Sequence, residues 1–129
     1  MSRRGKIVPP KSALLVEDSA DVRDIIREIL ITENYSVKSA SDGLSAWEIV
    51  NSERFDLIIS DLGLPGMSGE ELLRNMRKRS IDTPVILTAG IDIGQDSLDR
   101  KQLSNFTILN KPFRVEEIKK LISGLIREK

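Results

Sequence analysis

The chain has 129 residues, of which 40% are apolar and 31% are charged, as expected for one soluble domain with its own core. Its 20 basic residues balance its 20 acidic ones, so no overall field attracts it to nucleic acid or to an anionic membrane. The sequence contains no cysteine and no histidine, which excludes disulfides, thiolate nucleophiles, soft-metal sites and the commonest general base. Any metal must therefore be a hard cation bound by oxygen, such as Mg²⁺ or Ca²⁺.

Residues 1–11 are basic and contain two prolines, a composition typical of a disordered lead or linker. They have no apolar signal core, and no apolar run in the chain approaches the ~20 residues of a membrane span. We therefore expect residues 12–129 to form one domain in the cytoplasm, without a membrane partner.

Strand and helix patterns alternate along the remaining chain. Strands are predicted at 12–16, 35–40, 55–61, 84–88 and 106–110. Helical spacing follows them, although at 89–104 it is weak and predicts only a polar, poorly anchored helix. The apolar positions of the first, second and last helices are Val22, Ile25, Ile26, Ile29 and Leu30; Leu44, Ala46, Trp47 and Val50; and Val115, Ile118, Leu121, Ile122, Leu125 and Ile126. Five alternations require parallel strands with helices on both faces, a doubly wound α/β fold.

Single residues add detail to three of these helices. Asn34 is suited to close the first helix, because asparagine tolerates the left-handed conformation. Ser68 and Glu71 have capping-box spacing at the start of the third. Trp47 is expected in the core, since a tryptophan in an apolar helical stripe is usually buried.

The central apolar run of the chain ends at an acid. Residues 55–61 read FDLIISD, the pattern of a strand covered on both faces. The glycines and proline at 63–69 prevent the strand from continuing. Asp61 is therefore predicted to lie at the rim of the sheet, where open α/β sheets bind ligands.

Other strands also end at polar residues. Glu17 and Asp18 follow the first strand, Thr88 ends the fourth and Lys111 follows the fifth. Because parallel strands share one carboxyl edge, we expect these side chains to meet Asp61. Three converging carboxylates would raise one another's pKa unless a positive charge intervenes. Lys111 supplies one positive charge, and we expect Mg²⁺ to supply the rest. This ion is usually bound by only one or two carboxylates and keeps several waters.

This combination resembles the receiver domain of two-component response regulators. The family's acid pair, phosphoacceptor, hydroxyl residue and lysine with its proline are matched, in that order, by Glu17 and Asp18, by Asp61, by Thr88, and by Lys111 and Pro112. The loop 61–69 is also similar, and the resemblance covers 12–129 as one receiver domain. It implies a flavodoxin-like, CheY-like three-layer sandwich with five parallel strands in the order 2-1-3-4-5.

The resemblance implies that Asp61 is the residue that becomes phosphorylated. Asp61 would be the carboxylate nucleophile that takes a phosphoryl group from a phosphohistidine of a sensor histidine kinase or histidine phosphotransfer protein. Asp18, Asp61 and the carbonyl of Gly63 would bind Mg²⁺, with Glu17 acting largely through water. The donor is expected on another protein because this chain has no histidine.

The remaining site residues would bind the phosphoryl group. Lys111 would pair first with Asp61 and then with a phosphoryl oxygen, while Thr88 would donate its hydroxyl and Ala89 its N–H. Catalysis would then be positioning and charge neutralisation, without a proton base. The chain is thus expected to undergo its own phosphorylation and dephosphorylation and not to be an enzyme for outside substrates.

Some residues depart from the family's usual pattern. Ile108 stands where the family often has an aromatic residue that turns inward when the hydroxyl residue moves, so the coupling from Thr88 is expected to be altered. Gly63 and Gly90 leave the mouth of the site free of side chains, which predicts a short-lived phosphoryl group. The family also has a cis peptide bond before the proline, which we expect between Lys111 and Pro112.

The output is expected through contact with a downstream protein, not with nucleic acid. The family's usual contact face consists of the fourth helix, the fifth strand and the last helix. The weakly patterned segment 91–103 belongs to this face. A homodimer through the same face is a further expectation.

Other functions fit the sequence less well. Phosphatases with an aspartate nucleophile carry a second aspartate two residues later, where this chain has Gly63. A flavodoxin-like flavin carrier would share the fold, but Glu17 and Asp18 would repel the flavin phosphate. A receiver-like interaction module, or a receiver fragment of a hybrid histidine kinase, is the alternative. The complete set of site residues argues against an inert module.

Overall fold

The computed structural model describes residues 8–90 and 103–127. Its elements, in chain order, are β1 (Lys11–Val16), α1 (Ala20–Thr32), β2 (Tyr35–Ala40), α2 (Gly43–Ser52), β3 (Leu57–Asp61), α3 (Gly69–Lys78), β4 (Val85–Ala89), β5 (Phe106–Asn110) and α4 (Val115–Arg127). The weak helix expected at 89–104 lies almost entirely outside the described residues. Within them, no helix is long and apolar enough to cross a bilayer.

The five strands form one sheet in the order β2-β1-β3-β4-β5, and every neighbouring pair is parallel. This confirms the predicted doubly wound sheet and its strand order. Because all five strands run in the same direction, their carboxyl ends lie at one edge. Residues that end different strands are therefore neighbours in space.

The strands are buried on both faces, as the apolar runs predicted. In β1, Leu14 and Val16 belong to one core cluster, whereas Ala13 and Leu15 belong to another. The first cluster is completed by α2 and α3, and the second by α1 and α4. The sheet is thus the middle layer of a three-layer sandwich.

Capping side chains fix where the helices begin. Ser19 caps α1, Asp42 caps α2, and Ser68 forms the predicted capping box with Glu71 at the start of α3. Each cap satisfies an N–H that the helix itself leaves unpaired. Asn34, with φ of 68°, follows α1 in the left-handed conformation that the sequence indicated.

Three residues that were predicted to lie on the apolar faces of helices are exposed to solvent. Ile25, Leu44 and Val115 are 53%, 56% and 45% exposed. Ile25 lies on the flank of the buried stripe of α1, and the other two lie in the first turns of α2 and α4. Trp47, by contrast, packs against the first core cluster, as expected.

Strand β3 begins later than its apolar run suggested. It starts at Leu57, because Asp56 exchanges hydrogen bonds with Ser12 instead of continuing the ladder. The Ser12 N–H donates to the Asp56 carboxylate at 2.8 Å, and the Asp56 N–H donates to the Ser12 carbonyl at 2.8 Å. Phe55 lies outside the strand but still packs against the first cluster.

Gly69, the first residue of α3, allows the helix to approach the end of β3 closely. A Cβ atom at this position would lie 2.5 Å from the carbonyl oxygen of Asp61 and 2.9 Å from the Cα of Leu62. The Gly69 N–H also donates to the Leu62 carbonyl at 2.9 Å. The loop that follows Asp61 is therefore closed by backbone contact, which leaves no room for a side chain.

Replacing Gly69 by alanine should lower the free energy of unfolding by about 1–3 kcal/mol, because the added methyl group meets backbone that cannot move aside easily. Gly124 is the matched control, since a Cβ there would have nothing within 4 Å. Gly124→Ala should instead gain about 0.5–1 kcal/mol from helix propensity. Urea denaturation measures both. Equal effects of the two substitutions would contradict the close approach.

Candidate functional site

The carboxyl ends of β1, β3, β4 and β5 meet at one edge of the sheet. Asp61 ends β3 and stands in register with Thr88 on β4. The Leu62 N–H donates to the Thr88 carbonyl at 2.8 Å, and the Lys111 N–H donates to the Ala89 carbonyl at 2.6 Å. These hydrogen bonds fix the backbone at the ends of β3 and β5, and therefore the relative positions of Asp61 and Lys111.

Three acidic side chains converge at this edge. Carboxylate oxygens of Glu17, Asp18 and Asp61 all lie within 4.8 Å of one another. Glu17 is only 2% exposed and Asp61 is half-buried, while Asp18 is exposed to solvent. The acids that are distant in sequence therefore form one cluster, which we call the acidic cluster.

The buried position of Glu17 disfavours the ionised form of its carboxyl group. Burial raises the pKa of this carboxyl above its ordinary value of 4.5. A hydrogen bond from the Ser19 N–H to Oε2, at 3.1 Å, opposes the rise, while the charge of Asp61 adds to it. The nearby charge of Lys111 lowers the pKa without cancelling the effect of burial.

Lys111 brings an ammonium group into the acidic cluster. Its Nζ lies 3.1 Å from Oδ2 of Asp61 and 3.7 Å from Oε1 of Glu17. Lys111 follows β5 directly, so the end of the fifth strand delivers the charge to the end of the third. The peptide bond between Lys111 and Pro112 is cis, as expected.

Two buried polar atoms at this edge lack a hydrogen-bond partner among the described residues. They are Oγ1 of Thr88 and Oε1 of Glu17. An unpaired buried oxygen costs about 1–3 kcal/mol, and protein interiors contain few of them. Glu17 belongs to the acidic cluster and Thr88 stands in register with Asp61, so both atoms favour a ligand that offers hydrogen bonds or positive charge at this edge.

The mouth of the site is open. The N–H of Gly63 donates to Oδ1 of Asp61 at 3.2 Å, which holds the carboxylate near the loop. A Cβ atom at Gly63 or at Gly90 would have nothing within 4 Å among the residues that the structure describes. The approach to Asp61 therefore has room for a second molecule.

The donor atoms fit a hard divalent cation. Glu17, Asp18 and Asp61 offer three carboxylates within the reach of one ion, and the backbone carbonyl of Gly63 belongs to the adjoining loop. Oxygen donors of this kind suit Mg²⁺ or Ca²⁺. A dication would also offset the repulsion between the carboxylates, which one lysine offsets only in part.

Arg23 supports the acid pair and was not among the predicted site residues. The Arg23 guanidinium donates from Nη1 to the Glu17 carbonyl at 2.8 Å and so holds the turn that carries the acid pair. A signal was available, because helical side chains lean towards the N-terminus and Arg23 lies one turn into α1. Ile108, the predicted switch residue, is buried in the first core cluster in register with Leu87.

Comparison with known sequences supports one family. Residues 13–123 match the response regulator receiver domain. The chain is 35% identical over 109 residues to sporulation initiation phosphotransferase F of Bacillus subtilis (strain 168), covering 82% of this chain and 86% of that protein. It is 36% identical over 115 residues to the probable transcriptional regulator ycf29 of Porphyra purpurea, covering 88% of this chain and 55% of that protein. The chain thus spans about half the length of that relative.

Solved structures agree with this match. The receiver domain of the Francisella response regulator 1452 has a TM-score of 0.82 and 27% identity, covering 92% of this chain and 99% of that one. The receiver domain of the sensor histidine kinase PA1611 from Pseudomonas aeruginosa PAO1 has a TM-score of 0.78 and 26% identity, covering 91% and 98%. That structure has a magnesium ion coordinated in its active-site cleft.

The family match covers most of the chain, and the relatives and structural neighbours belong to the same class of two-component signalling proteins. The sheet order and the arrangement of helices are those of the CheY-like fold. This chain belongs to the response regulator receiver domain family.

Proposed function

We propose that this receiver domain accepts a phosphoryl group on Asp61 in a reaction that depends on Mg²⁺. The donor is a phosphohistidine of a sensor histidine kinase or a histidine phosphotransfer protein, because the 129 residues contain no histidine of their own. The observation that carries the proposal is the 3.1 Å contact between the Lys111 ammonium and the Asp61 carboxylate, inside the acidic cluster. We place the reaction in the cytoplasm, as expected from the sequence.

In this reaction the protein groups position the reacting atoms and neutralise their charge. A carboxylate oxygen of Asp61 attacks phosphorus, and the bond between phosphorus and the donor imidazole breaks, with its electron pair staying on nitrogen. Lys111 moves its charge from the carboxylate to a phosphoryl oxygen. The hydroxyl of Thr88, which has no hydrogen-bond partner among the described residues, and the N–H of Ala89 bind the other oxygens and stabilise the charge that develops there.

The metal ligands in this proposal are Asp18, Asp61 and the carbonyl of Gly63, with Glu17 acting through water. The convergence of three carboxylates supports this assignment. The magnesium ion in the cleft of the PA1611 receiver domain supports the choice of metal. When bound, Mg²⁺ neutralises charge on the phosphoryl oxygens.

Hydrolysis of the aspartyl phosphate is proposed to be fast. The absence of side chains at Gly63 and Gly90 supports this proposal, because a Cβ atom at either position would meet nothing within 4 Å in the described part of the chain. In this proposal the protein catalyses only its own phosphorylation and dephosphorylation.

The output is proposed to be contact with a downstream protein through the face formed by β5 and α4, which would also serve a homodimer. Thr88 lies on β4 beside β5, and its movement towards the phosphoryl group would be passed on through that pair of strands. Ile108 is an aliphatic residue packed in the core, so we propose that the coupling does not use an aromatic rotation.

A second arrangement has specific support. Receiver domains of histidine kinases from Syntrophus aciditrophicus and Pseudomonas aeruginosa are among the structural neighbours, at 25% and 26% identity. The chain would then act as the receiver part of a hybrid kinase. Its chemistry at Asp61 would be the same, and only the origin of the phosphoryl group would differ.

Intact mass spectrometry tests the proposed acceptor. Incubation with acetyl phosphate and Mg²⁺ should add the mass of one phosphoryl group to the chain, and a chelator should prevent the addition. Asp61→Asn should gain no mass, because an amide of nearly the same shape lacks the nucleophilic carboxylate. Addition to this variant in the same yield would show that another residue is modified.

Glu17→Gln tests the charge balance of the acidic cluster. Because the folded protein raises the pKa of Glu17 above 4.5, the contribution of this group to stability is complete below pH 4.5 and is lost as the pH rises through the folded value. In a chelator at pH 7, Glu17→Gln should therefore be more stable than the wild type, and the gap should close towards pH 4.

The control is Glu48→Gln, on an exposed position of α2, which should leave stability unchanged at every pH. Thermal denaturation over this pH range measures all three proteins. A wild type that is more stable than Glu17→Gln at pH 7 would contradict the view that the buried charge is held at a cost.

A further inference from the structure

A second polar pocket lies at the carboxyl edge of the sheet. It has a volume of about 310 Å³ and is lined by Arg23, Ser39, Ala40, Ser41, Ser45 and Ile49. We propose that this pocket, named here the β2-edge pocket, binds a small phosphate compound at a site separate from Asp61. The strand order places β1 between the two sites, because the pocket is at the end of β2 and Asp61 is at the end of β3.

Arg23 supplies the principal charge. Its guanidinium is half-buried and uses Nη1 for the bond to the Glu17 carbonyl. A guanidinium has five N–H donors, so most of its donors are not used by that bond. Within the residues that the structure describes, no ion pair involves Arg23, since those found join Lys38 with Glu53, Arg74 with Glu70, and Lys111 with Glu17 and Asp61.

Arg27 adds a second positive charge beside the pocket. It lies one helical turn after Arg23 on α1, is half-buried, and donates from Nη2 to Oγ of Ser39 at 2.8 Å. In the described part of the chain Arg27, too, has no carboxylate within 4.0 Å. Because Ser39 accepts this bond, its own hydroxyl proton is free to be donated to a ligand.

Asp42 is an acidic residue bonded to the lining residue Ser45. Asp42 accepts from the Ser45 N–H at 2.8 Å and from the Ser45 hydroxyl at 3.0 Å. These bonds lower the pKa of Asp42, so it is ionised at neutral pH and occupied with capping α2. The lining itself contains the Arg23 guanidinium and no acidic residue, and Arg27 is bonded to the lining residue Ser39.

The donor set selects the ligand class. Guanidinium groups combined with serine hydroxyls match the oxygens of a phosphate group, which accept several hydrogen bonds in different directions. A cavity of about 310 Å³ is at the small end of ligand sites, which favours a compact phosphate compound over a nucleotide. The apolar part of such a compound would rest on Ala40 and Ile49.

Binding here is linked structurally to the acid pair. The Arg23 guanidinium would contact the ligand and the Glu17 carbonyl at once, and the Glu17 N–H donates to the carbonyl of Ala40 at 3.1 Å. A ligand in the β2-edge pocket would therefore fix the turn that carries Glu17. Arg23 acts here as a ligand-binding residue and touches no group that reacts at Asp61.

The test is a titration of the full chain carrying Asp61→Asn with inorganic phosphate, in a chelator and at constant ionic strength set with chloride. Amide NMR signals of Ser39, Ser41 and Ser45 should shift and saturate. Arg23→Gln should weaken binding on the order of tenfold, the loss expected for one charge-assisted hydrogen bond. Arg54→Gln replaces an exposed arginine that is not part of the pocket lining, and this variant should bind as the parent does.

Arg27→Gln keeps the contact between Arg23 and Glu17, so it carries the test if Arg23→Gln does not fold. Shifts that do not saturate, or affinity in the Arg23 and Arg27 variants equal to that of the parent, would overturn the proposal. Shifts confined to position 61 and to Thr88 would also overturn it, because they would place the phosphate at the proposed phosphorylation site and not in the β2-edge pocket. Since metal and the acceptor carboxylate are absent, failure here is distinguishable from failure of phosphorylation at Asp61.

Discussion

Three carboxylates and one ammonium share the carboxyl edge of the sheet, and the balance of their charges is the constraint on which the site depends. Glu17 is almost fully buried, and its raised pKa shows that its charge is not fully compensated by Lys111. The 3.1 Å contact with Asp61 shows where the lysine acts most directly. A hard dication bound by the carboxylates that are present would supply further positive charge to such a site.

The fold makes this crowding possible. A parallel sheet collects strand ends from distant parts of the chain, and its register places Thr88 opposite Asp61 on the neighbouring strand. Close backbone packing at Gly69 holds the loop after β3 against the sheet. The acids are therefore kept together by the core and the backbone, and not by attraction among themselves.

Much of this architecture could be predicted from the sequence. Apolar runs that end at Val16, Asp61 and Thr88 indicate buried parallel strands, and their order in the chain is enough to predict a shared edge. Periodicity alone could not predict which helical residues are covered: Ile25 has the same spacing as its buried neighbours but lies on the flank of α1. The hydrogen bond from Arg23 to the Glu17 carbonyl was missed because it joins a side chain to backbone and leaves no hydrophobic pattern, so the lean of helical side chains towards the N-terminus was its only signal.

The affinity for Mg²⁺ of the wild type and of Lys111→Met, measured by isothermal titration calorimetry, tests the central claim most directly. If the lysine and the metal compensate the same carboxylates, removing the ammonium should raise the affinity for Mg²⁺ at least about fivefold. Two unit charges 4 Å apart in water interact with ~1 kcal/mol, and this energy corresponds to a factor of about five in affinity. Lys111→Arg, which keeps the charge, should bind Mg²⁺ much as the wild type does. Unchanged affinity in Lys111→Met, or no binding by the wild type, would contradict the account.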